Sequence, residues 1–375
     1  RDQPRSRGLG DVYKRQGKDF TIYTLSFNAV NNAPTSPAIT EIFQFKTDNE
    51  EENIQTFNQI IEERNITHII NQGIYPHITN IIFNPDRKKD VKIISVLHGM
   101  PKYENSQYWQ LPHILKANKL KQIKRRFLFH IGLNYKYKRY IRSFYDSYRK
   151  ACIKGDQIIV LCNEYIKPFI NEYHLKKYQE KVIAIENPLS PLFSEQKNIE
   201  WTQKKNQVIF VGRLSEEKQI HIILDIWERI GKITNWDLVI IGDGCIRQKL
   251  EQTVRDKQIQ RVSFTGQVNH PEEYYKSAKI ILLTSSFEGF PMCLIEALRF
   301  GVIPLTFDIS AGVRSIVSNS GGIIIKNRNS NEMFLKLQEL INNKYLHSLS
   351  EKARLKSNRY TLNRIGEQWI NLLRK

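Results

Sequence analysis

The second half of the chain alternates between two patterns. Short apolar, β-branched runs occur at 207–212 (QVIFVG), 236–242 (WDLVIIG), 262–266 (VSFTG), 279–284 (KIILLT), 302–307 (VIPLTF) and 321–326 (GGIIIK). Between them lie stretches with apolar residues every three or four positions, such as EEKQIHIILDIWERI. Short apolar runs bounded by glycine predict strands buried on both faces, and the 3.6-residue period predicts helices that cover them. Six such units predict one doubly wound α/β domain. The first half repeats the theme at 20–27, 40–45, 67–73, 91–98, 157–162 and 181–186, with helical stretches such as NIQTFNQIIEERN between. It predicts a second domain of the same kind. The Pro-rich, polar segment NPLSPLFSEQKNIEW, 187–201, marks the junction.

The expected organisation is a tail at 1–16, an N-terminal domain at 17–190, a hinge at 191–204 and a C-terminal domain at 205–346. The helical stretches of 347–375 would follow, with the option of packing back on the first domain. Two facing domains of this type would place a cleft at the carboxyl ends of both sheets, where ligands bind. Residues 1–16 show neither period, and the first Met is Met100. The opening strand also behaves like a second strand, with no βα unit before it. A non-native-looking tail on an N-terminally truncated chain is the expectation.

Composition narrows the partners. The chain has 375 residues, is 41% hydrophobic and carries a formal net charge of +19. That excess points to a polyanionic neighbour: nucleic acid, an acidic lipid surface or a phosphate-bearing substrate. Cys152, Cys162, Cys245 and Cys293 form no C-x-x-C pair and no zinc spacing with histidine, which predicts free thiols in a reduced compartment. No apolar run approaches the ~20 residues needed to span a bilayer. The expected location is cytoplasmic, with a peripheral place on the inner face of the plasma membrane left open.

Two motifs carry chemistry. In VIFVGRLSEEKQ a strand should end at Gly212 and a helix should start after Ser215, a good N-cap residue. Arg213 and Lys218 flank that start, where cations oppose the helix dipole. They make sense there if an anion such as a diphosphate sits between them. Alternatively, Glu216 and Glu217 neutralise both as solvated surface charges. In SSFEGFPMCLIEALRFG, 285–301, Glu288 precedes a helix with Pro291 at its first position, and Gly289 and Phe290 offer backbone N–H groups. Glu296 lies inside that helix and could accept from two vicinal hydroxyls. Its structural alternative is pairing with Arg299, and that of Glu288 is a dipole-stabilising acid.

The set G-R-x-x-x-x-K, then E-G-F-x-x-x-x-x-E-A followed by a Gly, resembles glycosyltransferase family 4. The matching residues are Gly212, Arg213, Lys218, Glu288, Gly289, Phe290, Glu296, Ala297 and Gly301. The resemblance covers 205–345 strongly and 65–190 weakly. It implies a GT-B fold and retaining transfer of a sugar from a UDP- or GDP-type nucleotide sugar to a glycan or lipid-linked acceptor. A place in bacterial surface polysaccharide or lipopolysaccharide synthesis goes with it. It further implies that Arg213 and Lys218 bind the donor diphosphate, Glu296 grips the ribose, and Glu288 with the Gly289 and Phe290 amides orients the sugar. Backbone around Gly266–Val268 would meet the base, and His98 would act on the donor sugar from the first domain. A structural role is the alternative for His98. The chain contains no Asp-x-Asp, so we expect no metal and no cofactor. Two departures stand out: no Gly-rich loop follows the first strand, and Gly242-x-Gly244 lacks a third Gly, which argues against NAD.

Residues 116–150 hold twelve Lys or Arg, eight aromatics and one acid, Asp146. A helix on anionic lipid, RNA binding, or a solvated face with aromatics on its core side all fit. We favour the lipid surface and expect no nucleic acid. The alternatives in function are another GT-B enzyme, an epimerase or phosphorylase, and a basic nucleic-acid-binding protein.

Overall fold

Each apolar run expected to be a strand contains one. The structure, a computed structural model, describes residues 20–26, 39–45, 47–87, 90–102, 135–194 and 200–374. The expected tail at 1–16 and the 116–134 part of the basic stretch lie outside them. The chain divides into two compact units after Glu186, and residues from Gln368 onward belong to the first. The 191–204 segment therefore lies within the second unit, as does 347–367.

In the first unit, β1 (Ile22–Ser26) and β2 (Ile39–Gln44) pair in parallel. A four-stranded parallel sheet follows, with β3 (His68–Asn71), β4 (Lys92–Leu97), β5 (Gln157–Val160) and β6 (Val182–Ala184) side by side in sequence order. Its described helices are α1 (Glu50–Glu63), α2 (Pro76–Ile82), α3 (Tyr135–Lys154) and α4 (Ile166–Glu172). α1 starts where the Asn49 side chain accepts from the Glu51 amide, and Glu50, Glu51 and Glu52 suit its positive end. It buries Phe57 and Ile61, four positions apart on one face. Ile158, Ile159 and Val160 of β5 are fully buried, as a strand covered on both faces must be.

In the second unit, β7 (Gln207–Val211), β8 (Asp237–Ile241), β9 (Val262–Gly266), β10 (Ile280–Leu283), β11 (Ile303–Phe307) and β12 (Ile323–Ile325) form one parallel sheet. Its order is β12-β11-β10-β7-β8-β9. The order reverses between β7 and β10, the first and fourth strands of the unit, which is the doubly wound arrangement. The helices are α5 (Pro191–Ser194), α6 (Ile220–Ile230), α7 (Arg247–Asp256), α8 (Glu272–Ser277), α9 (Met292–Arg299), α10 (Ala311–Val317), α11 (Ser330–Ile341), α12 (Leu346–Ser357) and α13 (Leu362–Arg374), the last running on into residues of the first unit.

α6 shows why the pattern works. Ile220, Ile223, Leu224, Trp227 and Ile230 recur at helical spacing and are all buried against Val208, Phe210, Leu238 and Ile240 of the sheet. Burying each such side chain contributes about 1.5–3 kcal/mol. The helix stops at Gly231, where a Cβ would meet the Gln260 carbonyl oxygen at 2.7 Å. Among the described residues, no helix is long and apolar enough to cross a membrane.

Candidate functional site

In an open α/β sheet, ligands bind beyond the carboxyl ends of the strands where the order reverses. Here that point lies between β7 and β10. The loop after β7 carries Gly212, Arg213 and Lys218, and the loop after β10 carries Ser285 and Glu288. The two sequence motifs, some seventy residues apart, thus flank one crevice. They also touch: Lys218 Nζ donates to Glu288 Oε1 at 2.8 Å.

The helix expected after Ser215 begins later. Residues 216–218 form a single 3₁₀ turn, and α6 starts at Ile220. The physical reason is that the Ser215 hydroxyl donates to the Glu217 carboxylate at 2.5 Å instead of capping a backbone amide. Gln219 then adopts φ 49°, ψ 42°, a left-handed conformation that costs a non-glycine residue roughly 1–2 kcal/mol. The surroundings hold it there. Thr284 Oγ1 donates to the Gln219 carbonyl at 3.1 Å and to that of Lys218 at 3.0 Å, and Arg328 donates to the Gln219 side chain. Strain maintained in this way is typical of functional loops.

Lacing continues between the loops. Ser286 N donates to the Glu217 carbonyl at 2.7 Å. Arg328, just past β12, donates to the carbonyls of Ser285 (3.0 Å) and Thr284 (2.9 Å). Arg328, Thr284 and Ser285 escaped the sequence reading. A Thr-Ser-Ser run directly after an apolar strand was a usable signal for the last two, but no local spacing announces Arg328.

The two cations of the first motif are held differently. Arg213 is 44% exposed and lies 3.8 Å from Glu217, a loose pair, while Glu216 pairs with Lys249 instead. Lys218 is mostly enclosed. Burial alone would pull its pKa down, but the charge and hydrogen bond of Glu288 outweigh it and leave it raised. Lys218 is therefore an ammonium at neutral pH. Ser285 Oγ also donates to Glu288 Oε1, at 2.7 Å. Both partners of Glu288 use the same oxygen, and Oε2 has no protein partner among the described residues. One oxygen is fixed and the other is open to a ligand hydroxyl.

Glu296 sits deeper. It is 3% exposed, and its Oε2 accepts from the Tyr275 hydroxyl at 2.8 Å. Arg299, the partner in the structural alternative for Glu296, donates to the Ser194 carbonyl at 3.5 Å. On α9, Glu296 shares a face with the half-buried Met292, Cys293 and Arg299. A carboxylate oxygen has two lone pairs, so a ribose hydroxyl could share it. Tyr275, buried and stacked on Phe300, was also missed. Pro291 is the N-cap of α9, with Met292 as its first residue, one position later than expected. Gly289 and Phe290 form the turn before it, and the Phe290 ring packs edge-on against Tyr360.

Glycines keep the carboxyl edge low. A Cβ on Gly242 would lie 1.9 Å from the Gly212 carbonyl oxygen, so the turns after β7 and β8 touch backbone to backbone. Gly266 ends β9 with φ 71°, and Val268 follows in the next loop. Arg247, at the place of a third fingerprint glycine, pairs with Asp243 at 3.0 Å and Glu251 at 2.8 Å. A Cβ on Gly266 would meet it at 2.7 Å.

His98 belongs to the other unit, directly after β4. Its Nε2 lies 2.7 Å from Gln72 Oε1. The residue is exposed at the surface, desolvation lowers its pKa, and the ring is neutral at pH 7. All four cysteines are free, with Cys152 and Cys162 buried. Burial pushes the Cys162 thiol up to about 12, which suits a core residue rather than a nucleophile. Of the basic stretch, 135–150 falls on α3, whose Phe144, Ser147 and Tyr148 are buried while Lys136, Lys138, Arg139 and Arg142 are exposed.

Residues 193–358 match the family model "Glycosyl transferases group 1". An uncharacterized glycosyltransferase of Haemophilus influenzae is 32% identical over 205 residues, 52% of this chain and 57% of that protein. The amylovoran biosynthesis glycosyltransferase AmsD of Erwinia amylovora is 31% identical over 176 residues, 46% and 49% of the two chains. A Campylobacter jejuni α-1,4-N-acetyl-D-galactosaminyltransferase, named for a diphospho-undecaprenol-linked saccharide, is 27% identical over 208 residues, 54% and 57%. The chain thus spans about half the length of the curated relatives it matches. Among solved structures, sucrose-phosphate synthase from Thermosynechococcus elongatus superposes with a TM-score of 0.71 at 14% identity, covering 98% of this chain and 91% of that one. A Staphylococcus aureus TarM mutant in complex with Fondaparinux, α-GlcNAc-glycerol and UDP gives 0.63 at 21%, covering 86% and 59%. The fold class is GT-B, with two Rossmann-like units.

Proposed function

We propose that the protein is a retaining glycosyltransferase that moves a sugar from a UDP- or GDP-type nucleotide sugar to a hydroxyl of a glycan or lipid-linked acceptor in bacterial surface polysaccharide synthesis. The observation that carries this reading is the meeting of Lys218 and Glu288, with Arg213 on the same loop as Lys218, across the point where the strand order reverses. The anomeric carbon–oxygen bond to the diphosphate breaks as a bond to the acceptor oxygen forms, and the acceptor hydroxyl's proton passes to the departing diphosphate. Arg213 and Lys218 meet the negative charge that grows on the leaving diphosphate, an interaction strongest in the transition state. Glu288 Oε2 holds a sugar hydroxyl while Lys218 and Ser285 fix the other oxygen. Glu296 takes the ribose hydroxyls, and backbone at Gly266–Val268 takes the base. His98, in the first unit, is the remaining candidate for a role on the donor sugar.

In this reading cations replace a metal, so transfer is metal-independent. The matched relatives support the acceptor class through their printed names, one of which contains a diphospho-undecaprenol-linked saccharide. The exposed cations of α3, with the basic residues that precede it, suit an anionic membrane surface where such an acceptor would lie. The test is release of nucleoside diphosphate from a panel of UDP- and GDP-sugars in EDTA, with the product anomer read by NMR. Turnover in EDTA with retained configuration is expected; strict Mn²⁺ dependence or inversion would overturn the reading.

A further inference from the structure

The second unit carries another cleft, at the amino-terminal end of its sheet, with an open volume of about 590 Å³. Asn206 and Trp236, just before β7 and β8, and Lys279, just before β10, form its floor. Ile230 and Ile341, the last residues of α6 and α11, form its sides. None of the residues placed above at the carboxyl edge lines it. Its volume is within the range of small-ligand sites, roughly 300–1,000 Å³.

The lining has a recognisable chemistry. Trp201 is half-buried and Trp236 is buried, and the Lys279 ammonium lies 5.0 Å and 5.5 Å from their ring centres. The His347 ring is 5.5 Å from that of Trp201. Lys279 also donates to Asn206 Oδ1 at 2.7 Å, so its position is fixed from two directions. Asn235 and Gln338 line the cleft with side-chain amides that have no hydrogen-bond partner among the described residues. Lys344 at the rim is exposed and makes no ion pair among them. No carboxylate lines the cleft among the described residues. The wall is also rigid: the buried Lys204 ties the 201–204 segment to the unit by donating to the carbonyls of Tyr275 (3.2 Å), Lys276 (3.1 Å) and Ala278 (2.6 Å).

The exposed part of the Trp201 indole is an apolar, electron-rich surface against which the C–H groups of a pyranose can pack. Each side-chain amide offers both donors and an acceptor, which is what a row of hydroxyls requires. Ammonium groups with no opposing carboxylate select a negative substituent. We propose that this cleft is a second saccharide-binding site, specific for a pyranose that bears an anionic group, either a carboxylate or a phosphate. The proposal goes beyond the nucleotide-sugar reading and does not depend on it. A site of this kind would hold a glycan chain away from the crevice at the opposite end of the sheet.

Saturation-transfer NMR on the whole chain tests it, with three ligands: a glucuronic-acid-containing disaccharide, glucose 1-phosphate and maltose. At least one of the two anionic ligands should receive saturation on its ring protons, and whichever does identifies the source of the charge. Maltose should bind about tenfold more weakly. Trp201→Ala should weaken the anionic ligand about tenfold or more. Because Trp201 also packs against its neighbours, Lys344→Ala and Asn235→Ala are run beside it; both side chains are exposed, and each should weaken binding several-fold with an unchanged unfolding temperature. Excess UDP should leave the signal intact. Failure of both anionic ligands to bind, equal binding of maltose, insensitivity to all three substitutions, or displacement by UDP would each overturn the proposal. The UDP arm separates this site from the crevice, so a negative result here leaves the transferase reading standing.

Discussion

Glu288 uses one carboxylate oxygen for Lys218 and Ser285 and keeps the other for a ligand, whereas Glu296 spends one of its oxygens on a buried tyrosine hydroxyl. The two glutamates therefore differ in what their loss should do. Glu296→Gln, which preserves shape, should mainly weaken donor binding, while Glu288→Gln should depress turnover as well. Steady-state kinetics checks this, and equal, purely binding effects from both would refute the division of labour. Glu288→Gln should also destabilise the fold by about 1–3 kcal/mol, because it weakens a charged hydrogen bond to an enclosed lysine. The sign of its pH dependence follows from Lys218, whose pKa is raised. Stability from a raised lysine is complete below the ordinary lysine value and is lost as pH climbs through the raised one. The gap between wild type and variant should be flat at neutral pH and close above about pH 10.5. Chemical denaturation across that range measures it; a gap that widened there would contradict the pairing. Arg213, Lys218 and both glutamates were legible from spacing. Tyr275 and Arg328 were not, since they act on partners 21 and 43 residues away.

Among the elements, the strands were read well because burial on both faces leaves a continuous apolar run bounded by glycine. α6 starts four residues later than the Ser215 side chain predicts. Ser215 has the right side chain for an N-cap, but a carboxylate two positions on accepts its hydroxyl hydrogen bond. Such competition is invisible to a positional rule. The displaced helix start leaves a strained turn, and Arg328 is the element that holds it to the loop after β10. Arg328→Lys should cost about 2 kcal/mol, because a point charge cannot span the carbonyls of Thr284 and Ser285 together with the Gln219 side chain. Hydrogen exchange should then quicken selectively at the Ser286 amide, which donates to the Glu217 carbonyl. Unchanged protection at Ser286 in a destabilised variant would show that Arg328 does not clamp the loops.

At the scale of the whole molecule, the +19 net charge named a polyanion without choosing one. The described part of the chain adds exposed cations on α3 and three cations, Arg213, Lys218 and Arg328, around the reversal point. Flotation with vesicles should therefore show binding to anionic but not neutral lipid, released by salt; equal binding to both would count against a charged membrane face. The doubly wound order of the second unit was legible as six apolar runs, yet the reversal between β7 and β10 was not, because strand order is set by packing rather than by spacing. That reversal is what turns two separate motifs into one site. The central claim is that this site binds a nucleoside diphosphate through its cations. Calorimetric titration of UDP and GDP into the protein in EDTA, beside Arg213→Ala and Lys218→Ala, tests it most directly. The account predicts saturable binding of at least one nucleotide to the wild type and a loss of about tenfold or more in each variant. Binding that is absent from the wild type, or unaffected by both substitutions, would contradict it.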